Sequence, residues 1–149
     1  MKVLYLTYRK TRDNIKISLD ISKFPAILFG TMKKLDFSDF PWLPPWQPIS
    51  PQGRQAYEAE LETELTEAHS LFGIPIRAIA RTCDGDDVLF ELMGQRCRLV
   101  VVHMTFSGRR EQDPRWPQAQ FFQDIDDWVM RSMIPDLARF EKSQSDQAA

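Results

Sequence analysis

The sequence predicts an α+β fold: an antiparallel sheet of four to six strands with two main helices packed on it. Three observations predict it. Apolar runs separated by short turn signals fill residues 75–106, a period-2 run lies near the start, and helical apolar spacing recurs at about 51–71 and 124–141. A chain of 149 residues is one domain's length and can bury a core. Its 43% apolar and 27% charged residues match a globular protein rather than a disordered one. The longest apolar runs, such as Leu99–Val102, are too short to span a bilayer, and MKVLYLTYRKTR turns basic too soon for a signal-peptide core. Cys83 and Cys97 alone make neither a disulfide framework nor a structural zinc site. A cytoplasmic single domain with no cofactor is expected.

Near the start, Val3–Tyr8 is strand-like, and Ile15, Ile17, Leu19 and Ile21 alternate with polar residues. RKTRDN between them reads as a hairpin turn, so residues 1–34 are expected as a basic strand hairpin region. AILFGTM after Pro25 fits either a strand or a short helical piece. Five prolines between Pro41 and Pro51 make that stretch an irregular connection. Its Trp42 and Trp46 either cover an edge of the core or line a groove.

Ser50-Pro51 is a helix start, a capping hydroxyl followed by proline. Tyr57, Leu61, Leu65 and Ala68 then form an apolar face, and the helix is expected to end around Phe72-Gly73. Its other face pairs Glu58 with Glu62 and Glu60 with Glu64 at i,i+4, which costs a few tenths of a kcal/mol each. Three strands should follow, PIRAIARTC, DVLFELM and CRLVVVHMTF, turning at Asp84-Gly85 and at Gly94-Gln95-Arg96. The last is apolar on both faces. SGRREQDPRWPQAQFF reads as a polar loop. A second helix opens at Asp124, is broken or kinked by Pro135, and gives way to a frayed tail over 142–149.

Charge is segregated along the chain. Residues 1–34 hold eight Lys/Arg against Asp13 and Asp20, net +6, while residues 35–74 hold seven acids against Arg54, net −6. Either these parts pair with each other or they make two binding faces. Few aromatics accompany the basic segment outside strand positions, which argues against nucleic acid.

Catalytic motifs are scarce. There is no phosphate-binding glycine loop, no G-x-S-x-G and no H-E-x-x-H. His69 is expected at a helix end, against its last carbonyls. His103, flanked by aliphatic residues, reads first as a buried neutral imidazole and second as a general base. Asp84, Asp86 and Asp87 suit a hairpin turn, with a metal site as the weaker reading. The cysteines read as small buried residues. The most function-like segment is the loop after the third strand, where Thr105, Ser107, Arg109, Arg110, Asp113, Arg115 and Trp116 gather hydroxyls, guanidinia and an indole. Pairing of Arg115 with Asp113 or Asp126 would give that loop a purely structural role.

GIPIRAIARTCDGDDVLFEL, VVVHMTFSGRREQDPRWP and FFQDIDDWVMRSMIPD carry a resemblance. Residues 50–137 resemble a group of small, largely uncharacterised bacterial proteins marked by a DDVLF-like strand, a His-(Leu/Met)-Thr-(Trp/Phe)-Ser-Gly element, an Asp-Pro-x-(Trp/Phe)-Pro loop and a Trp…Met-x-Pro-Asp end. The marking positions here are His103, Thr105, Ser107, Gly108, Asp113, Pro114, Trp116, Pro117, Trp128, Pro135 and Asp136, with Phe106 where Trp is common. The resemblance implies a likeness to immunity proteins encoded beside toxins. Two functions are therefore expected in order. The first is non-catalytic binding of a protein partner, occluded as by an immunity-type inhibitor and drawn by the acidic face of Glu60 and Glu64, which suits a basic partner. The second is a small enzyme or ligand-binding domain, with His103, Asp113 and Arg115 around a pocket at the sheet edge.

Overall fold

The structure, a computed structural model, describes residues 34–148 in full and the backbone of 5–11 and 14–20. AILFGTM and much of the basic segment lie outside the described residues. Strands β1 (Tyr5–Thr11) and β2 (Asn14–Asp20) pair antiparallel, from Tyr5 opposite Asp20 to Thr11 opposite Asn14, as a separate two-stranded sheet. Most of the RKTRDN segment is thus strand rather than turn.

The main sheet is an antiparallel meander of five strands in chain order: β3 (Trp46–Pro48), β4 (Ile76–Thr82), β5 (Asp87–Leu92), β6 (Leu99–His103) and β7 (Gln118–Phe122). The three strands read from the sequence are its middle. Both edges lie in segments read as irregular. Pro48 is tolerated in β3 because an edge strand can spare a donor. In β7 the side chains of Gln118 and Gln120 are exposed while Ala119 and Phe121 are half-buried, a period-2 pattern hidden by its polar composition.

Alternate residues of β5 and β6 feed two cores. Val88, Phe90, Val100 and Val102 pack with Leu61 and Leu65 under helix α1 (Arg54–Glu64). Leu89, Leu99 and Phe122 pack with Trp46, Trp128, Met133 and Leu137 on the opposite face. That face is covered by one helical run: α2 (Ile125–Trp128), a π-helical turn over Val129–Met133, and α3 (Ile134–Gln147). Each fully buried large side chain, such as Phe90, contributes about 1.5–3 kcal/mol.

Several expectations need correction. Helix α1 starts at Arg54 after a turn in which Ser50 Oγ accepts from Gly53 N at 3.1 Å. It stops at Glu64 instead of Phe72, because Leu65 goes extended and the following turns bury Leu71 against the sheet. Of the two outcomes expected at Pro135, a break does not occur, and the second helix runs on as expected. Proline gives the Arg131 carbonyl no donor, and the wider π-turn just before it absorbs the mismatch. The tail is helical through Gln147. Cys83 is exposed and Cys97 half-buried, so neither is a core residue.

Glu91 of β5 is fully buried on the second face. Its oxygens accept from Arg77 Nε at 2.9 Å, Arg98 Nη2 at 2.9 Å and the backbone N–H of Leu35 at 2.9 Å. This one carboxylate ties the chain before β3 to the centre of the sheet.

Candidate functional site

The loop from Met104 to Pro117 leaves the end of β6 and presents one surface on each side of the sheet. On the α1 side it is fastened by carboxylates. Glu60 Oε1 accepts from Gly108 N at 2.8 Å, and Glu64 Oε2 accepts from Thr105 N at 3.1 Å. The Glu64 carbonyl accepts from Glu111 N at 2.9 Å, and Thr105 Oγ1 donates to Glu111 Oε1 at 2.6 Å. Glu58 serves β4 in the same way, taking Ala78 N at 2.9 Å beside the irregularity between Ala78 and Ala80. The like-charged face of α1 is therefore partly internal: Glu64 is buried, Glu58 and Glu60 are half-buried, and Glu62 stays exposed. Three of its carboxylates, Glu58, Glu60 and Glu64, take backbone donors that the sheet and loop leave unpaired. Burial pushes the Glu64 carboxyl above its ordinary range, and its contact with Glu60 acts in the same direction.

Held by these bonds, Phe106 sits at φ 49°, in the left-handed region that side chains with a Cβ avoid. The residue is 46% exposed, and its ring meets that of Tyr57 edge-on at 6.3 Å. Arg109 and Arg110 follow, exposed and without an acidic partner among the described residues.

The other side holds an open groove of about 610 Å³. At one end His103 Nδ1 donates to Asp87 Oδ1 at 2.9 Å, with the Trp116 ring 6.4 Å from the imidazole. Such a bond leaves His103 Nε2 free. His103 is not enclosed by aliphatic side chains: it closes β6, and its side chain is 49% exposed. The helix supplies Arg131, Ser132, Asp136 and Arg139, the first two from the π-turn, and β7 adds Gln118 and Gln120. Asp136 accepts from Trp46 Nε1 at 2.8 Å, from Ser132 Oγ at 2.9 Å and from Arg139 Nη2. Arg131 reaches Asp127 at 3.0 Å and lies 5.0 Å over the Phe122 ring. Arg115 leans on the rim and grips Asp113, Nη2 to Oδ2 at 2.6 Å, which holds that carboxyl down at about 2.

The predicted trio is thus partly assembled. His103 and Arg115 share the groove, but the acid on His103 is Asp87, and Asp113 serves Arg115. That partner was readable in the sequence, since reflecting β6 about Gln95 sends His103 onto Asp87. Asp84 and Asp86 stay exposed on the turn, and among the described residues no group of three ligands could hold a metal ion. His69 lies beyond the helix end, buried, donating from Nε2 to the Pro117 carbonyl at 2.8 Å while Nδ1 accepts from Leu71 N at 3.1 Å. Of the two indoles Trp46 is a core residue that also borders the groove, and Trp42 is half-buried against Phe37 and Phe40. Arg131, Ser132 and Arg139 escaped the sequence reading, because helical spacing says which face is polar and not what it confronts. No helix among the described residues is long and apolar enough to cross a membrane. Comparison with known proteins returns no matching family model, no matching curated protein and no matching solved structure.

Proposed function

We propose that this chain is a non-catalytic binding protein that occludes a protein partner through residues 105–110. The observation that carries the reading is Phe106, an exposed aromatic held in a costly backbone conformation by a loop that three carboxylates fasten. Strain of roughly 1–2 kcal/mol persists only where its surroundings enforce it, and ligand clamps are where it collects. An exposed aromatic followed three and four residues later by two arginines has the composition of an interface hot spot. The surface charges left free here are Arg109 and Arg110, so the partner meets them with acidic groups; a basic partner has less to grip, since Glu60 and Glu64 already serve the loop. The resemblance of residues 50–137 to a group of small, largely uncharacterised bacterial proteins implies a likeness to immunity proteins, and that likeness supports the occluding role. Two free cysteines support a reducing, cytoplasmic setting.

The test is a tagged pull-down from the native host at moderate salt, read by mass spectrometry, with the parent and two variants. The parent should retain one stoichiometric partner that high salt releases. Phe106→Ala should weaken capture by about thirtyfold, the effect of a 2 kcal/mol hot spot. Phe106→Gly should unfold in urea within about 1 kcal/mol of the parent, since glycine tolerates the left-handed backbone, and still lose the partner. Retention of the partner by both variants refutes the assignment.

A further inference from the structure

We propose that the groove on the opposite face of the sheet is a second site, which takes a small planar ring bearing one anionic group, a carboxylate or a phosphate. The inference does not use Phe106 or the partner reading, although Arg115 and Trp116 come from the far end of the same loop.

It rests on an imbalance of donors and acceptors. The oxygens of Asp136 take Trp46, Ser132 and Arg139, and Asp87 Oδ1 takes His103. Of the carboxylate oxygens that line the groove among the described residues, only Asp87 Oδ2 is left without a donor. The donors are not exhausted. Arg131 commits Nη1 to Asp127, Arg139 commits Nη2 to Asp136, and Arg115 commits Nε and Nη2 to Asp113. Each guanidinium carries five N–H groups, so all three keep donors to spare, and their side chains are 85%, 51% and 73% exposed for Arg115, Arg131 and Arg139. Gln118 and Gln120 add exposed amides. A cavity with more donors than acceptors fits a ligand with the reverse, and guanidinia favour planar, two-oxygen anions.

The two ends of the groove differ. Arg131 and Arg139 stand on the helical wall, whereas the His103 and Trp116 rings stand together at the strand end over a floor that includes Val101. An anion on the helical wall places an attached flat body against the rings, where stacking and apolar contact favour it. The volume of about 610 Å³ suits a ligand of that size. The π-turn that sets Arg131 and Ser132 into the wall is a feature frequent at functional sites.

The experiment titrates the intact chain with benzoate, adenosine 5′-monophosphate, adenosine and inorganic phosphate, following the His103 ring and Trp116 indole resonances. Benzoate or the monophosphate should shift both signals saturably, and the tighter of the two identifies the anionic group. Adenosine and free phosphate should each bind about tenfold or more weakly, since each lacks one half of the ligand. Arg131→Gln with Arg139→Gln should weaken the favoured acid by about tenfold or more while the urea midpoint stays near the parent's, and Phe106→Ala should leave the affinity unchanged. Absence of a saturable shift with either acid, equal binding of adenosine and its monophosphate, or undiminished binding by the double variant would overturn the proposal.

Discussion

Asp113 and Glu64 sit on the same loop system, and their surroundings move them in opposite directions. Hydrogen bonds from the Arg115 side chain and backbone hold Asp113 at about 2, below its ordinary 3.8. A depressed acid contributes stability that is complete above 3.8 and is lost as pH falls through about 2. An NMR titration of the Asp113 carboxyl should give a midpoint near 2 in the parent and a higher one in Arg115→Ala, still below the ordinary range because the backbone N–H of residue 115 goes on donating; an ordinary midpoint in the parent would break the clamp argument. Glu64 is raised above 4.5, chiefly by burial, so the folded chain holds its proton more tightly than the unfolded one. Stability therefore falls as pH rises from 4.5 through the folded value. Its Oε1 is buried without a donor. Glu64→Gln keeps an acceptor for Thr105 N, turns the other side-chain atom into a donor towards Glu60, and removes the buried charge. Urea unfolding should show the variant about 1 kcal/mol more stable at neutral pH, with the gap closing on acidification to about pH 4. Parity at neutral pH counts against this account.

At the scale of elements, the two helices show which ends local sequence controls. Asp124 is extended at φ −153° and its side chain accepts from Asp127 N at 2.9 Å, a cap whose donor lies three residues away. The start of the helix near Asp124 was visible in the sequence for that reason. Asp124→Ala should cost about 1 kcal/mol in urea unfolding, and a change near zero would mean that the π-turn and packing of Trp128 set the start instead. The end of α1 was not visible. Apolar spacing continues past Glu64, but burying Leu65 and Leu71 while His69 reaches Pro117 is a long-range arrangement that ends the helix early. The same limit hid β7, whose polar residues alternate correctly but whose strand character depends on pairing with β6.

Across the whole molecule, Glu91 is the joint. It gathers Arg77, Arg98 and the Leu35 backbone onto one buried carboxylate. Removing one member of a buried ionic group costs about 3–5 kcal/mol, because the partners, here the mostly buried Arg77 and Arg98, keep their charge without its counterion. Glu91→Ala should lose that much in urea unfolding and loosen the chain around Leu35, read by faster amide exchange there. A loss below about 1 kcal/mol would place the joint elsewhere, in the aromatic packing of Phe37, Phe40 and Trp42.

By itself the sequence determined the α+β class, the three central strands with their turns, the helix start at Asp124 and the loop that carries His103's neighbours. Each follows from propensities and periods that act over a few residues. Tertiary structure alone decided what the polar side chains face. Thr105 N lies 41 residues from Glu64, Gly108 N 48 from Glu60, and Asp136 90 from Trp46. The acidic stripe of α1 read as a surface from its spacing and became a set of backbone fasteners only once the sheet brought the loop to it. His103 read as buried from its aliphatic neighbours, and it is exposed because β6 ends there. Spacing along a chain fixes which residues share a face. What lies opposite that face is set by the packing of distant elements, and there the chemistry of the two surfaces was decided.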